Sequence, residues 1–303
     1  MSDKIGRFKN AHLRFTPPGL MRHVAVRRIA ASDLDFPGVE FKIASSEAEM
    51  AAAFELLKES YVRRGIAREG QMRLQIISLL PTTTTFIATS GDEVIGTISL
   101  IEDSDLGLPM EKVHPAEAVA IRKLFRSVAE VGALAVRPDY RRSGLSIMLY
   151  NMLYRWARQW RRVDDLLIAV HPSAQFFYKN ILLFEVIGPP QRYEDLQGAA
   201  SLPLRLDILG AQLRFYRVYR DRIVDTKCRR DFYSFFCGPT DRFNFSDHPH
   251  YAESQRSSGP LKDVDVLRLF NRFSLSAETI QEREARVLHR HFPDVSFMAE
   301  GTV

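Results

Sequence analysis

Cysteine is scarce in this chain of 303 residues, since only Cys228 and Cys237 occur. Two cysteines without C-x-x-C spacing predict neither a disulfide framework nor a zinc site. No apolar run approaches the about 18 residues of a membrane span, and the N-terminus lacks the apolar region of a secretory signal. We therefore predict a cytoplasmic protein with reduced thiols and no integral membrane segment. Some histidines cluster near the C-terminus without forming a recognisable metal motif: His248, His250, His289 and His291.

Acidic residues are outnumbered by basic ones, 37 against 42, which gives a formal charge of +5. Such a balance indicates an acidic partner: nucleic acid, a membrane surface or an acidic carrier protein. Charge alone does not choose between these partners. The chain contains no recognisable RNA-recognition motif or zinc finger, and its arginines gather around one loop and the helix after it. That placement favours a carrier with a phosphorylated prosthetic group over nucleic acid.

One stretch, residues 128–146, organises the chain. Residues 129–136 are almost continuously apolar, which predicts a strand buried on both faces, and Glu130 is the one carboxylate in it. Pro138 and Asp139 then indicate a turn. From Gly144 onward, apolar residues recur every three or four positions, which predicts a helix with one apolar face: Leu145, Met148, Leu149, Met152, Leu153, Trp156 and Trp160.

The junction between this strand and this helix has the features of an anion site. The first N–H groups of a helix lack intrahelical partners, and the helix dipole places positive charge behind them. Arg141 and Arg142 add formal charge, while Gly144 and Ser146 let the backbone approach a phosphate closely. The alternative is an ordinary strand-to-helix connection with solvated arginines.

Patterns in other segments predict further helices and strands. Ser46-x-x-Glu49 is a capping box, and it predicts a helix with Met50, Phe54, Leu57 and Tyr61 on one face. Residues 85–89 and 94–101 flank a Gly-Asp turn and predict a hairpin, and residues 165–170 predict a buried strand. Amphipathic helices are predicted for residues 209–223, 264–273 and 277–292. The first has Leu213, Tyr216, Tyr219 and Ile223 on its apolar side, and the last is capped by Ser276.

The run Val136, Pro138, Arg141-x-x-Gly144-x-Ser146 resembles the acyl-donor phosphate-binding motif of the GNAT N-acyltransferases, (Q/R)xxGx(G/A), with Ser146 in place of the last small residue. Several segments in order resemble N-acyl amino acid synthases of the FeeM type, a group similar to the acyl-homoserine-lactone autoinducer synthases: residues 85–89 (TFIAT), 94–100 (VIGTISL), 107–109 (GLP), 129–136 (AEVGALAV), 177–179 (FYK) and 204–207 (LRLD). The resemblance covers residues 41–225.

The resemblance implies an α/β (α+β) fold, in which a mixed, mostly antiparallel sheet carries helices on both faces. It divides the chain into a basic N-terminal arm (1–38), a GNAT-like acyltransferase domain (39–225) and a C-terminal extension with a linker and two helices (226–303). The extension lies outside the resemblance. Its role is open between dimerisation, a lid over a long acyl chain and structural bracing.

For the donor, the resemblance implies no permanently bound cofactor but the acyl-phosphopantetheine of acyl carrier protein, or acyl-CoA. The strand that contains Leu134, Ala135 and Val136 splays from its neighbour in this fold, and its free backbone groups bind the pantetheine amides like an added strand. The phosphate is expected at the loop and helix start: Arg141, Arg142, Ser143, Gly144, Leu145 and Ser146.

Glu130 and Tyr178 are the candidate catalytic residues. An amine must lose a proton to attack a thioester, so a nearby carboxylate acts as general base, and burial would raise its pKa toward the working range. The position of Glu130 matches the catalytic glutamate of many GNAT enzymes; the alternative is a carboxylate that is solvated or paired with an arginine. Tyr178 matches a tyrosine that often protonates the leaving thiolate. Leu183 replaces a usual glycine, so packing of Tyr178 against the pantetheine is the alternative.

The acceptor site needs a cation, because a desolvated amino acid must have its carboxylate paired. Candidates come from the polar stretch after the first helix and from the strand near residue 205, although exposure is the favoured alternative for any single one: Arg63, Arg64, Arg68, Arg73 and Arg205. His171 ends a strand before proline, where a structural role is more common than catalysis. Arg155, Arg158 and Arg162 are predicted to share a helix face that meets the acidic carrier, with a solvated face as the alternative.

Three functions compete at this point. The first is a long-chain N-acyl amino acid synthase that uses acyl carrier protein and the α-amine of an amino acid. The second is a coenzyme-A-dependent acetyltransferase with the same fold. The third is a catalytically silent GNAT-like module that binds nucleic acid. The resemblance favours the first, with a carrier protein and a small-molecule amino acid as partners and no nucleic acid.

Overall fold

The computed structural model describes residues 34–220, 232–238, 243, 245, 261–273, 275 and 280–295. Residues 1–33 of the predicted arm, Cys228 and most of the predicted linker lie outside these ranges, as do His248 and His250. None of the helices in the described part of the chain has the length and apolar character needed to cross a bilayer.

The described strands form one mixed sheet, in the order β1-β2-β3-β4-β5-β8-β6, with β7 paired to another part of β8. Every neighbouring pair is antiparallel except β4 and β5. The predicted hairpin and the predicted strand at 165–170 are confirmed. The strands are β1 (Val39–Ile43), β2 (Thr83–Ser90), β3 (Glu93–Glu102), β4 (Val128–Val136), β5 (Asp165–Val170), β6 (Glu185–Val186), β7 (Gln191–Tyr193) and β8 (Ala199–Asp207).

Helices cover both faces of this sheet, as predicted. Side chains alternate along a strand, so the neighbours Phe86 and Ile87 of β2 belong to two different cores. Helices α3, α4 and α5 pack into one core, and α1, α6 and α7 pack into the other. The helices are α1 (Glu47–Arg63), α2 (Pro115–Arg122), α3 (Leu145–Gln159), α4 (Ile208–Tyr219), α5 (Phe232–Cys237), α6 (Asp263–Arg272) and α7 (Glu282–His291).

Helix α1 begins where the capping pattern predicts. The Ser46 hydroxyl accepts a hydrogen bond from the backbone N–H of Glu49 at 3.3 Å. The Glu49 carboxylate accepts in turn from the N–H of Ser45 at 2.8 Å, one residue before the expected donor. Both bonds satisfy N–H groups that have no partner within the helix.

The apolar face predicted for α4 was wrong at Leu213 and Tyr216 and right at Tyr219, while Ile223 lies outside the described ranges. Leu213 and Tyr216 are 53% and 37% exposed, whereas Phe215 and Tyr219 are 1% exposed and pack against α5. Aromatic residues occur on both sides of this helix, so periodicity alone does not choose the buried face. Contact with the aromatic residues of α5 determines which face is buried. One such contact is the ring pair of Phe215 and Phe236, with centroids 5.1 Å apart.

The C-terminal helices lie close to their predicted positions, but the start of the second differs. Helix α7 begins at Glu282, where Gln281 and Glu284 form a capping box. The predicted start at 277 with Ser276 as its cap falls on residues outside the described ranges. Both helices pack in the same core as α1, so this part of the extension packs against the sheet.

Candidate active site

Strands β4 and β5 separate in the middle of the sheet. Their pairing runs from Val128 to Glu130 on β4 and ends at the pair Glu130 and Leu167. On its other edge, β4 remains paired with β3 as far as Val136. Among the described residues, no strand therefore pairs with the β5-facing edge of Leu134, Ala135 and Val136. The predicted splay is present, and it leaves backbone groups free for an added strand.

A bulge accompanies this separation. The register between β3 and β4 shifts between Thr97 and Ser99. Opposite this shift, Ala133 has a positive φ of 52°, which is unusual for a residue with a Cβ. Such a conformation costs about 1–2 kcal/mol, and bulges of this kind bend a strand and redirect its side chains. Ala133 lines the cavity described below. Local backbone strain of this kind often occurs at functional sites.

The loop before α3 has the backbone geometry of an anion site. Gly144 is the N-cap of α3 and has a φ of 94°, which favours glycine strongly. The backbone N–H groups of Gly144 and Ser146 have no hydrogen-bond partner among the described residues. Arg141 and Arg142 are exposed beside them. The structure thus brings the predicted phosphate-binding residues together at one helix N-terminus.

Ser143 and Leu145 have structural roles in this loop. The Ser143 hydroxyl donates to the carbonyl of Tyr140 at 2.7 Å and accepts from the N–H of Leu145 at 3.3 Å. The Leu145 side chain is fully buried in the core under α3. These two residues therefore fix the loop, while the free N–H groups and the two arginines face outward.

A cavity of about 850 Å³ opens at the splay. Strands β4 and β5 contribute residues 130–133 and 169–171 to its wall, and α1 contributes Phe54, Leu57 and Tyr61. Further wall residues come from 71–76, from β3 and β8, from the turn around Pro109 and from residues near the ends of α6 and α7. The lining combines an apolar majority with several polar and ionisable side chains, which is typical of a small-molecule site.

Glu130 lies in this cavity wall and is 6% exposed. Its Oε2 accepts a hydrogen bond from the backbone N–H of Met110 at 2.7 Å. Burial raises the pKa of Glu130 to about 8, the Met110 hydrogen bond opposes this rise, and the nearby charge of Glu111 adds to it. Glu130 is neither solvated nor paired with an arginine among the described residues. It has the environment of a carboxyl group poised to exchange a proton near neutral pH.

Tyr61 was predicted from the sequence only as part of an apolar helix face. It lines the same cavity as Glu130, and burial raises the pKa of its hydroxyl. The charge of Arg64 opposes this rise, and the charge of Glu130 adds to it. A phenol that stays protonated in the same cavity as a carboxylate can donate a proton, so Tyr61 joins the candidate site.

Tyr178 lies in a π-helical turn, Phe177–Ile181, and is 6% exposed. Its ring packs edge-on against Tyr150 with centroids 5.7 Å apart, and it is not among the residues that line the cavity. Burial raises the pKa of Tyr178 to about 12, although the neighbouring Tyr150 hydroxyl opposes this rise. Leu183 adopts a φ of 60°, so the turn keeps the left-handed conformation that glycine usually provides.

Ser201 and His114 form a further pair at the site that no sequence pattern predicted. Ser201 lines the cavity from β8, and its hydroxyl is hydrogen-bonded to Nε2 of His114 at 3.0 Å. His114 is fully buried, and burial lowers its pKa. The imidazole is therefore neutral at neutral pH and fixes the orientation of the Ser201 hydroxyl. These residues are 87 positions apart, so no local pattern links them.

Two arginine predictions need correction. Arg205 donates to Asp165 at 2.9 Å, and the fully buried Asp165 is also paired with Arg126 at 2.6 Å, so Arg205 is committed to a structural network. Arg155 is 4% exposed and donates to the side chain of Asn151 and the carbonyl of Phe235, both at 2.8 Å. It therefore does not belong to an exposed docking face.

The remaining predicted residues differ in their surroundings. Arg158 is partly buried and hydrogen-bonded to Gln212, and Arg162 is exposed just beyond the end of α3. His171 lines the cavity, and its Nδ1 accepts from the backbone N–H of Ser173 at 3.2 Å, which is a capping role. Arg73 lines the cavity, is exposed and has no ion-pair partner among the described residues. Within the described ranges, no cluster of three metal-ligating side chains occurs.

Comparison with known proteins links this geometry to acyl transfer. The family model of the N-acyl amino acid synthase FeeM matches residues 52–207. The solved structure of FeeM, an N-acyl amino acid synthase from uncultured soil microbes, is 26% identical with a TM-score of 0.52, and the match covers 59% of this chain and 95% of that chain. An acyl-CoA N-acyltransferase from Pseudomonas aeruginosa is 15% identical with a TM-score of 0.39, over 55% of this chain and 98% of that chain. The comparison with curated proteins gave no match.

Proposed function

This chain belongs to the FeeM family of N-acyl amino acid synthases and is an N-acyltransferase of the GNAT fold, and we propose that it joins long-chain fatty acids to amino acids. The donor is an acyl group on the phosphopantetheine of acyl carrier protein, and the acceptor is the α-amine of an amino acid. The observation that carries the proposal is the buried Glu130 in the wall of a large, mostly apolar cavity at the splay of β4 and β5.

In the proposed reaction, the amine nitrogen attacks the thioester carbonyl and Glu130 takes the proton that the amine must lose. The C–N bond forms as the C–S bond breaks, and the products are an amide and a carrier thiolate. A phenol protonates that thiolate. Tyr61 is proposed for this step because it lines the same cavity as Glu130, and Tyr178, which does not line that cavity, is the second candidate. A pKa of about 8 lets Glu130 accept and release protons near neutral pH.

The donor arm is proposed to enter along the open edge of β4. The pantetheine amides pair with Leu134, Ala135 and Val136, and the phosphate binds the free N–H groups of Gly144 and Ser146 beside Arg141 and Arg142. Support comes from the unpaired strand edge and from the positive φ of Gly144. The first atoms of the acyl chain then lie at the splay, next to the carboxyl of Glu130.

The size of the cavity favours a long acyl chain over an acetyl group. An acetyl donor needs a pocket that ends two carbons beyond the thioester, whereas this cavity measures about 850 Å³ and has apolar walls on α1, β4 and β8. Each methylene group that leaves water contributes about 0.8 kcal/mol to binding. Acyl carrier protein supplies such chains inside the cell, so the proposal places the enzyme in the cytoplasm.

For the acceptor, Arg73 is proposed to pair with the amino acid carboxylate. It lines the cavity and has no ion-pair partner among the described residues, unlike Arg63, which is paired with Glu59 at 3.6 Å, and Arg205, which is held by Asp165. A guanidinium suits this task because it binds a carboxylate through two parallel hydrogen bonds.

The test of this function uses the purified protein with matched donors. Acyl carrier protein and coenzyme A, each loaded with a long acyl chain or an acetyl group, are offered with a mixture of amino acids, and the amide products are identified by mass spectrometry. The proposal predicts N-acyl amino acids from the long-chain carrier. The double variant Arg141→Glu/Arg142→Glu should raise KM for that donor, while Lys123→Glu, at an exposed position after α2, should not. Turnover of acetyl-CoA alone would instead establish an acetyltransferase.

A further inference from the structure

Part of the cavity wall comes from outside the matched family region. The family model ends at residue 207, yet Phe273, Leu275 and Ile280 line the cavity, together with Gln281 and Glu284 at the start of α7. The three apolar residues flank the segment that joins α6 to α7. The C-terminal extension therefore forms part of the wall of the cavity that contains Glu130.

This part of the wall is anchored to α1. The rings of Phe54 and Phe273 pack edge to face with centroids 4.9 Å apart. Arg272 pairs with Glu47 at the start of α1, with an N–O distance of 2.6 Å. Val266, Leu269 and Phe270 of α6 are almost fully buried in the core that α6 shares with α1. Helix α6 and Phe273 are thus held against α1 by burial, an ion pair and a ring contact.

The distance between this wall and the reaction centre can be estimated along α1, from Phe54 to Tyr61. Phe54, Leu57 and Tyr61 lie on one face and all line the cavity. Tyr61 lines the cavity together with Glu130, whereas Phe54 contacts Phe273. Seven residues of α-helix span roughly 10 Å. The Phe54–Phe273 contact therefore lies about 10 Å along α1 from the tyrosine at the reaction centre.

We propose that Phe54 and the C-terminal residues Phe273, Leu275 and Ile280 form the distal wall of the acyl pocket and set the length of the transferred chain. This inference rests on the proposed function. The exposed faces of these residues are apolar, and they suit methylene groups better than an amino acid carboxylate. The nearby Glu284 carboxylate accepts from the N–H of Gln281 at 2.8 Å, so it caps α7.

Two variants test the wall in opposite directions. Phe273→Ala enlarges the distal end, and Leu275→Trp shortens it. The measurement is a competition among acyl carrier proteins with a series of chain lengths, read as the ratio of amide products. Phe273→Ala should improve kcat/KM about fourfold for each methylene that newly fits, which shifts the preference to longer chains. Leu275→Trp should shift it to shorter chains. Val264→Ala, at a 47% exposed position on α6, serves as the control and should not change the ratio.

A measurement on the unaltered protein guards against variants that fail to fold. An acyl carrier protein whose chain ends in a photoreactive diazirine is crosslinked to the wild-type enzyme, and the labelled peptide is sequenced. Label on residues 261–284 or on Phe54 is expected. Label confined to other elements, an unchanged chain-length ratio in folded variants, or a change only in amino acid selectivity would overturn the inference. If the wild type forms no amide with any carrier-bound chain, the proposed function fails instead.

Discussion

Replacing Glu130 with glutamine should make the protein more stable and less active at the same time. Glutamine has nearly the same shape, and its carbonyl oxygen still accepts from the N–H of Met110, the bond that measures 2.7 Å in the wild type. It carries no charge at any pH. The substitution therefore removes the burial penalty of the carboxylate without leaving a cavity or depriving the Met110 N–H of its acceptor.

The pH dependence of this effect follows from the raised pKa. The folded chain holds the Glu130 proton up to about pH 8, whereas an ordinary carboxyl releases it near 4.5. Between these values the folded state binds more protons than the unfolded state, so the free energy of unfolding falls as the pH rises. The stability gain of Glu130→Gln over the wild type should grow by about 4 kcal/mol between about pH 5 and pH 9.

The assay is urea unfolding at a series of pH values, with the free energy of unfolding extrapolated to zero denaturant. Glu69→Gln, at an exposed position after α1, is the matched control and should follow the wild type at every pH. If the stability difference between Glu130→Gln and the wild type does not vary with pH, the Glu130 carboxyl is not buried with a raised pKa.

The kinetic half of the prediction uses the same proteins. Loss of a general base typically lowers kcat by about 10²–10⁴-fold. In the wild type, kcat/KM should rise as the pH passes about 8, where Glu130 loses its proton. A Glu130→Gln variant that turns over at the wild-type rate would show that the proton leaves the amine by another route.

Three further substitutions probe the site and its support. Tyr61→Phe should lower kcat about tenfold or more because it removes a proton donor. The control Tyr216→Phe, at a 37% exposed position, should leave kcat unchanged. Equal kcat values for the two variants would exclude Tyr61 from the mechanism. Arg73→Gln should raise KM for the amino acid but not for the acyl donor, with the exposed Arg68→Gln as control, and an unchanged KM would reject Arg73 as the carboxylate partner. Asp165→Asn should destabilise the protein by about 2–3 kcal/mol in urea unfolding, because it removes the buried charge that accepts hydrogen bonds from Arg126 and Arg205, and a loss below about 1 kcal/mol would contradict that network.

The central elements were predictable because their signals are local. A continuous apolar run gives β4, a three-and-four spacing gives α3, and the glycine between them marks the left-handed N-cap that the structure shows at Gly144. The sequence left open whether Glu130 is solvated or buried, and the structure shows it buried in the cavity wall. The family resemblance added the order of these elements and the splay beside β4.

The errors and omissions involve partners that are distant in sequence. Arg155 looks like a solvated helix residue until the carbonyl of Phe235, 80 positions away, is brought next to it. Arg205 alternates with leucines on a strand, and only the folded sheet shows that it forms an ion pair with Asp165. Tyr61 fits an apolar helix face equally well whether it meets core or cavity. Local periodicity contains no information about which surface a helix face meets.

The most direct test of the central claim is mass spectrometry of lipid extracts from cells that express this chain, beside cells that express Glu130→Gln or Glu69→Gln at equal protein levels. The account predicts new species at the masses of fatty acids amide-linked to an amino acid in the wild type and in Glu69→Gln, and their strong reduction in Glu130→Gln. If the folded wild-type protein produces no such species, or if Glu130→Gln produces them at the wild-type level, the account is contradicted.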